Sequence, residues 1–214
     1  MVQAKQFVLN PFQENTYILF DETNEAIIID AGCYTPQEVE SIKKFVDSNG
    51  LKVRYLVNTH GHIDHLLGID TLKELFGVES LAHANDLPLF ETAPMQAMMF
   101  GISIKKAPSI DKTVKEGDQV KFGNSVIEII HTPGHTTGGI CLYLREQGML
   151  FTGDTLFRGS IGRTDLTGGN YETIIESIIK KILPLGDDIE VYPGHGYSTT
   201  IEFEKRNNPF LIKN

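Results

Sequence analysis

The chain has 214 residues, 41% hydrophobic and 22% charged, which is enough to bury a core and excludes a disordered or fibrous protein. Its 28 acidic residues exceed its 19 basic ones, and the formal charge of −9, without any basic run, disfavours nucleic acid as a partner. We see no signal peptide, no stretch near the roughly 18 apolar residues of a membrane span, and only two cysteines, so we expect a cytoplasmic protein without membrane contact.

Short β-rich runs come first in the chain and are followed by a helix with clear start and stop signals. Thr35 as N-cap, Pro36 at the first helical position and Glu38 as reciprocal partner form a capping box, and Asn49 with Gly50 marks the end. A second helix is predicted to end at Gly77. The strands predicted in this part are 6–9, 16–20, 26–30 and 53–57.

The middle of the chain, from residue 83 to about 115, is less regular, and its Met- and Phe-rich run over 95–100 is interpreted equally as an apolar lid or as core filling. Asn170 is predicted to cap a helix over 171–182 whose isoleucines form one stripe. This pattern predicts two sheets with helices outside them, an α/β sandwich in a single domain over 1–214. The remaining predicted elements are strands at 120–122, 126–130, 139–144, 149–152 and 189–192, and a helix at 199–207.

Residues 59–65 place four candidate metal ligands within six positions, directly after an apolar strand. His60 and His62 lie two apart, so an extended backbone directs both to one side. Asp64 and His65 follow where a helix could begin, and adjacent helical positions diverge by about 100°. Imidazole and carboxylate suit Zn²⁺ and similar ions. A segment that divides its ligands in this way predicts two metal ions rather than one.

Three more predicted strand ends carry a candidate ligand beside a glycine, namely His135, Asp154 and His195. Glycine lets the backbone turn sharply in such loops. In layered α/β folds, sites form in the loops outside strand ends. Four ligand-bearing loops in one chain therefore predict a shared metal centre.

The order of these four motifs resembles the metallo-β-lactamase superfamily, and the chain is most similar to small hydrolases of the glyoxalase II type. The resemblance covers almost the whole chain and implies an αββα sandwich, two mixed sheets with helices on their outer faces. It implies two divalent metal ions at one edge, zinc in the first instance and iron or manganese as alternatives. The implied ligands of the first ion are His60, His62, His135 and Asp154. The implied ligands of the second ion are Asp64, His65, His195 and Asp154, so that Asp154 bridges the two ions.

Two further histidines and one carboxylate are assigned by the same resemblance. His131 lies near the same strand end as His135, but the family motif selects His135. His131 and His83 are therefore given packing or surface roles. Asp30 matches a family position whose carboxylate braces the His-rich loop and orients its ligands; the alternative is a turn residue that ends a strand.

The motif around Asp154 resembles thioester hydrolases rather than true β-lactamases. It implies a small-molecule thioester substrate, S-lactoylglutathione or a similar glutathione derivative. Arg163 and Tyr197 match cationic and aromatic contacts to glutathione in glyoxalase II enzymes. Asp165 departs from the tyrosine often found there, and a surface ion pair with it is the alternative role for Arg163. The helical C-terminal domain of full-length glyoxalase II enzymes is absent from the sequence, so we expect weaker glutathione binding or a different substrate.

The catalytic residues implied for a hydrolase are Asp64 and Asp154. Two neighbouring cations lower the pKa of a shared water from about 15.7 to about 7, and Asp64 would orient the resulting hydroxide toward the thioester carbonyl. The first alternative is a persulfide dioxygenase of the same superfamily, with one Fe²⁺ held by His60, His135 and Asp154 and a similar segment at 162–165. A nuclease is disfavoured by the acidic balance, and a non-catalytic metal-binding protein by the complete ligand set.

Overall fold

The first half of the chain forms a six-stranded mixed sheet in the computed structural model, which describes residues 1–104 and 106–212. The strands lie in chain order across the sheet, the first three antiparallel and the later ones parallel. They are β1 (Gln3–Leu9), β2 (Glu14–Phe20), β3 (Glu25–Ile29), β4 (Lys52–Val57), β5 (Glu79–His83) and β6 (Lys112–Val114).

The second half forms the other six-stranded sheet and a small hairpin. In chain order the strands are β7 (Gln119–Phe122), β8 (Ser125–His131), β9 (Ile140–Leu144), β10 (Met149–Gly153), β11 (Leu156–Phe157), β12 (Ser160–Ile161), β13 (Glu190–Pro193) and β14 (Thr199–Thr200). The sheet order is β14-β13-β10-β9-β8-β7, and β11 pairs with β12 alone. All pairs in the sheet are antiparallel except β10 with β13. Each sheet is therefore built from one contiguous half of the chain.

The helices are α1 (Pro36–Ser48), α2 (Ile69–Phe76), α3 (Leu87–Glu91), α4 (Ala93–Met99), α5 (Tyr171–Ser177) and α6 (Ile201–Asn207). The predicted capping box of α1 is confirmed: the Thr35 hydroxyl accepts from the Glu38 N–H, and the Glu38 carboxylate accepts from the Thr35 N–H. Gly77 ends α2 in the left-handed conformation, φ 66°. Beyond α5 the chain stays helical as a π-helical turn over Ile178–Ile182.

Three apolar clusters fill the layers of the molecule. Between the sheets, Ile27 and Val57 of the first sheet pack with residues such as Phe151 of the second. Helices α1 and α2 pack on the outer face of the first sheet, and α5 and α6 on that of the second. A fully buried side chain of this size contributes about 1.5–3 kcal/mol. The predicted αββα sandwich is confirmed.

The differences from the predicted elements lie in the middle and at the end of the chain. Strands β5 and β6 were missed, because Ser80 and Lys112 interrupt runs that are already short. The final helix begins at Ile201, two residues late, since Thr199–Thr200 pairs as the edge strand β14. None of the described helices has the length and apolar character needed to cross a membrane.

Candidate metal centre

The four predicted loops meet at one edge of the sandwich. The loop after β4 turns through a short 3₁₀ segment over Ile63–His65, and the other three follow β8, β10 and β13. Strand β4 belongs to the first sheet, whereas the other three belong to the second. The site is therefore assembled across the interface between the two sheets.

One group of donor atoms consists of His60, His62 and His135. Their ligand atoms all lie within 4.8 Å of one another. The His62 Nδ1 atom lies 2.8 Å from the His135 Nε2 atom, so the two nitrogens face a common point. Three imidazoles directed at one point form a donor set suited to a borderline divalent cation.

A second group consists of Asp64, His65 and His195, again within 4.8 Å. The His195 Nε2 atom lies 3.1 Å from the Asp64 Oδ2 atom and 3.3 Å from the His65 Nε2 atom. This group combines one carboxylate with two imidazoles and is also able to hold a cation.

Asp154 lies between the two groups and contacts both. Its Oδ1 atom is 3.4 Å from the His65 Nε2 atom. Its Oδ2 atom is 3.6 Å from the Nε2 atoms of both His135 and His195. The structure thus brings together all seven residues that the sequence nominated as metal ligands, with this carboxylate at their centre.

Two polar atoms at the centre of the site support a cation there. The His60 Nε2 and Asp154 Oδ1 atoms are buried without a hydrogen-bond partner among the described residues. A buried polar atom left without a partner costs about 1–3 kcal/mol, and native structures contain few such atoms. Both atoms belong to the clustered donor set, so a bound metal ion would satisfy them, and the residues fit such an ion.

Three of the histidines have their other ring nitrogen held by a neighbour. His60 Nδ1 lies 3.1 Å from the Thr59 hydroxyl, and His135 Nδ1 lies 2.8 Å from the carbonyl oxygen of Arg163. His65 Nδ1 lies 3.0 Å from the Asp30 carboxylate. A proton held at each Nδ1 leaves each Nε2 lone pair directed into the site.

Asp30 also fixes the start of the His-rich loop, as the resemblance implied. Its carboxylate accepts hydrogen bonds from the Thr59 N–H and hydroxyl, both at 2.7 Å. The backbone of Asp30 has a φ of 52°, a left-handed conformation that aspartate tolerates better than most residues. This conformation turns the carboxylate away from strand β3 and under the site.

Burial and mutual charge set the ionisation of the donors. Burial holds the pKa of His60 well below its usual range and lowers the pKa of His62 to about 3, so both are neutral. Burial opposes charge on both Asp154 and His65. Attraction between the carboxylates and His65 outweighs burial. It holds the pKa of Asp154 well below its usual value and the pKa of His65 well above its usual value. The carboxylates therefore remain ionised, and a bound cation would replace the proton on His65.

Asp86 is a structural residue of the site that sequence reasoning missed. It is fully buried, and its carboxylate accepts from the Gly61 N–H at 3.0 Å, the Thr136 hydroxyl at 2.8 Å and the Gly138 N–H at 2.6 Å. It therefore joins the His-rich loop to the loop that carries His135. The available signal was a polar residue just beyond strand β5, which was itself not predicted.

Strand β2 holds the loop of His195 in a way that the sequence did not reveal. The Asn15 side-chain amide donates to the carbonyl oxygens of Pro193 and Gly196, both at 3.0 Å, and the Tyr17 hydroxyl donates to Pro193 at 2.7 Å. These contacts join residues about 180 positions apart. No local sequence signal could have found them.

Gly194 shows why the loop before His195 needs a glycine. A Cβ atom at this position would lie 2.4 Å from the Asp154 Oδ1 atom and 2.7 Å from the His65 Cε1 atom. Any other residue would have to displace two of the clustered donors. The glycine therefore permits the fourth loop to close over the centre.

A cleft of about 440 Å³ opens from the metal ligands to the surface. Arg163 lines it, and its guanidinium donates two hydrogen bonds to Asp165 at 2.8 and 2.7 Å, so the residue forms the exposed ion pair and also borders the cleft. Tyr197 is 83% exposed and does not line this cleft.

His83 and His131 stack on one another outside the donor groups, with ring centroids 4.1 Å apart.

An αββα sandwich with His- and Asp-rich donor groups at one edge defines a class of metal-binding enzyme folds. A family model described as the Metallo-beta-lactamase superfamily matches residues 9–195. The chain belongs to this superfamily, whose members are mostly metal-dependent hydrolases.

Two named relatives differ in activity. The chain is 43% identical over 207 residues to hydroxyacylglutathione hydrolase GloC of Haemophilus influenzae, covering 94% of this chain and 93% of that one. It is 34% identical over 203 residues to the human mitochondrial persulfide dioxygenase ETHE1, covering 92% of this chain and 70% of that one. The first of these relatives supports a hydrolase.

Two solved structures agree closely with the fold. A crystal structure of the BLEG-1 B3 metallo-beta-lactamase has a TM-score of 0.91 and 33% identity, over 99% of this chain and all of that one. TTHA1623 in a di-iron-bound form has a TM-score of 0.87 and 35% identity, over 97% of this chain and all of that one. Both structural similarities cover the whole sandwich, so they support the fold that carries the loops of the site.

Proposed function

We propose that this protein is a dinuclear-metal hydrolase that cleaves thioesters, S-lactoylglutathione or a similar compound. The observation that carries the proposal is the position of Asp154 between two separate donor groups. The proposed ligands of one ion are His60, His62, His135 and Asp154, and those of the other are Asp64, His65, His195 and Asp154. Zinc is the proposed metal, with iron or manganese as alternatives. The hydrolase named among the relatives supports the reaction.

The proposed roles of the residues follow from their protonation and placement. When bound, the metal ions supply a hydroxide at neutral pH and polarise a carbonyl oxygen. Asp64 lines the cleft with His62 and His195. Burial opposes its ionisation, but His65 and the hydrogen bond from His195 hold its pKa below the usual value, so its carboxylate is able to accept a hydrogen bond from the attacking group. A thiolate leaves readily, so no separate acid is required.

The proposed substrate contacts are Arg163, from its place at the cleft, and Tyr197, from its position two residues after His195. The Arg163 fork suits a carboxylate or carbonyl oxygen of the substrate. The Tyr197 contact with the thiol half of the substrate rests on the motif match alone and stays a prediction.

A second candidate function is an iron-dependent persulfide dioxygenase. The relative ETHE1 favours it, as does the presence of His60, His135 and Asp154 as two imidazoles and one carboxylate. Dioxygenases of this superfamily retain the other motif ligands, so the second donor group does not separate the two functions; the higher identity to the hydrolase, 43% against 34%, favours the hydrolase.

The metal content and the reaction are tested together. We expect the purified protein to hold close to two divalent ions per chain by elemental analysis and to hydrolyse S-lactoylglutathione, followed by thiol release. One iron per chain, with oxygen consumed in the presence of glutathione persulfide and no thiol released from S-lactoylglutathione, would show the dioxygenase instead.

Replacing Arg163 tests the substrate contact. We expect Arg163→Ala to raise KM for S-lactoylglutathione by roughly two- to fivefold, the range of an exposed ion pair, with kcat little changed. The matched variant Asp165→Asn releases the guanidinium from its partner and should lower KM. If steady-state kinetics show an unchanged KM in both variants, the pair is a surface feature only.

A further inference from the structure

One wall of the cleft exposes an unusual amount of hydrocarbon beside the metal ligands. Met95 and Met99 of α4, and Phe100 directly after it, line the cleft and are 57%, 76% and 53% exposed. Ala93 and Ala97 on the opposite side of the same helix are buried in the core. Large exposed apolar side chains grouped at a cleft mark a binding surface rather than a solvated one.

This apolar wall is held in place relative to the metal ligands. The Gln96 side chain accepts from the Ile63 N–H at 3.1 Å and donates to the Gly61 carbonyl at 3.3 Å, so α4 is tied to the His-rich loop. Phe100 packs edge-to-face on Phe12, with ring centroids 5.1 Å apart. A group bound against this wall therefore has a fixed position relative to the reacting centre.

The cleft offers little to the charged groups of glutathione. In the part of the chain that the structure describes, Arg163 is the one lysine or arginine that lines the cleft, and the histidines there belong to the donor groups. Its guanidinium is already bonded at two nitrogens to Asp165. Glutathione carries two carboxylates, and carboxylates are bound most effectively by unshared cationic donors. Most other residues in the lining away from the donor atoms are apolar, including Ile63, Leu89 and Leu166.

We propose that the apolar wall binds the acyl group of the substrate, and that the preferred substrates are thioesters of aliphatic or aromatic acids rather than of hydroxy acids. This inference rests on the proposed thioester hydrolase function and adds the class of acyl group. Each methylene moved from water to an apolar surface contributes about fourfold in binding. A lactoyl group is short and carries a hydroxyl, so it gains little from Met95, Met99 and Phe100.

The test uses the metal-loaded protein and N-acetylcysteamine thioesters with acetyl, butyryl, hexanoyl and lactoyl groups, so that the thiol half stays constant, and S-lactoylglutathione as the substrate of the proposed function. We expect kcat/KM to rise on the order of tenfold from acetyl to butyryl and to rise again to hexanoyl. Met99→Ala should lower the ratio of hexanoyl to acetyl kcat/KM at least about threefold. Met98 is a matched control, because it neighbours Met99 and is 74% exposed but does not line the cleft. Met98→Ala should leave the ratio unchanged.

The outcomes distinguish failure of this inference from failure of the proposed thioester hydrolase function. Equal kcat/KM for all acyl groups, or a clear preference for lactoyl, overturns the apolar preference and leaves the thioesterase standing. Hydrolysis of none of these thioesters overturns both. Equal loss in the Met98 and Met99 variants overturns the assignment of the wall, because the effect would then not come from the cleft.

Discussion

Asp154→Ala is expected to lose both metal ions and at least about a hundredfold in activity together. Removal of a residue that merely supports a ligand already costs about 10- to 100-fold in metal affinity or activity, and Asp154 contacts both donor groups directly. Elemental analysis of the variant, with the thiol-release assay on the same sample, measures the two losses. The fold should persist, which circular dichroism checks.

His131→Ala serves as the control for this variant. His131 is the last residue of β8, the strand that His135 follows, but its Nε2 atom lies 3.0 Å from the Thr137 carbonyl and its ring stacks on His83, away from the donor groups. The metal content of the His131→Ala variant should equal that of the unaltered protein. Retention of both ions by the Asp154 variant contradicts the bridging role, and loss of an ion from the His131 variant contradicts the choice of histidine.

Asp30→Ala is expected to lower the free energy of unfolding of the metal-free protein by about 3 kcal/mol. The change removes a buried acceptor from Thr59 and His65, and each donor left unpaired costs about 1–3 kcal/mol. Alanine is also less tolerant than aspartate of the φ of 52° at this position. Urea denaturation in the presence of a chelator measures the change.

The Asp30→Asn variant distinguishes the effect of Asp30 on ligand orientation from its effect on folding. Asparagine adopts a positive φ and keeps an oxygen for the Thr59 N–H, but it places a neutral amide beside His65. We expect a smaller loss of stability than in Asp30→Ala, because the Thr59 N–H keeps its acceptor while the Thr59 hydroxyl and His65 lose theirs, and a metal affinity about 10- to 100-fold weaker at one of the two sites. Unchanged affinity at both sites in this variant would mean that the carboxylate only completes a turn.

The sequence was sufficient to nominate the candidate donor residues that the structure brings together, because each lies beside a local signal, while the choice of His135 over His131 came from the family resemblance. The His-rich loop concentrates four donors after one strand, and His135, Asp154 and His195 each follow a strand beside a glycine. The helix α1 is similarly marked by Thr35 and its capping box. Such signals lie within a few residues of the side chain that they mark.

The supporting contacts could not be predicted, because they join parts of the chain that only the tertiary structure brings together. Asn15 holds a loop about 180 residues away, and Asp86 joins two loops from different sheets. Glu14 is fully buried beside Asp30 and His65, where burial holds its pKa well above the usual value, although nothing in its neighbourhood in the sequence distinguishes it.

Of the two interpretations left open for the run over 95–100, core filling is wrong for its methionines and Phe100, which are exposed, and holds only for Ala97. The short helix α4 places Ala93 and Ala97 in the core and presents Met95 and Met99 to the cleft. Sequence gave no way to decide which side of so short an amphipathic segment would meet the core. The position of Gln96, bonded to Ile63, decides it in the structure.

Because each half of the chain forms its own sheet, the metal centre also affects how the two halves are held together. The donors of residues 60–65 come from the first half, and His135, Asp154 and His195 come from the second. A bound ion would therefore cross-link two halves that each complete their own backbone pairing, and neither half alone carries a full donor set. We therefore expect metal uptake to raise the thermal resistance of the protein, and metal starvation to favour its unfolding and degradation as well as its inactivity.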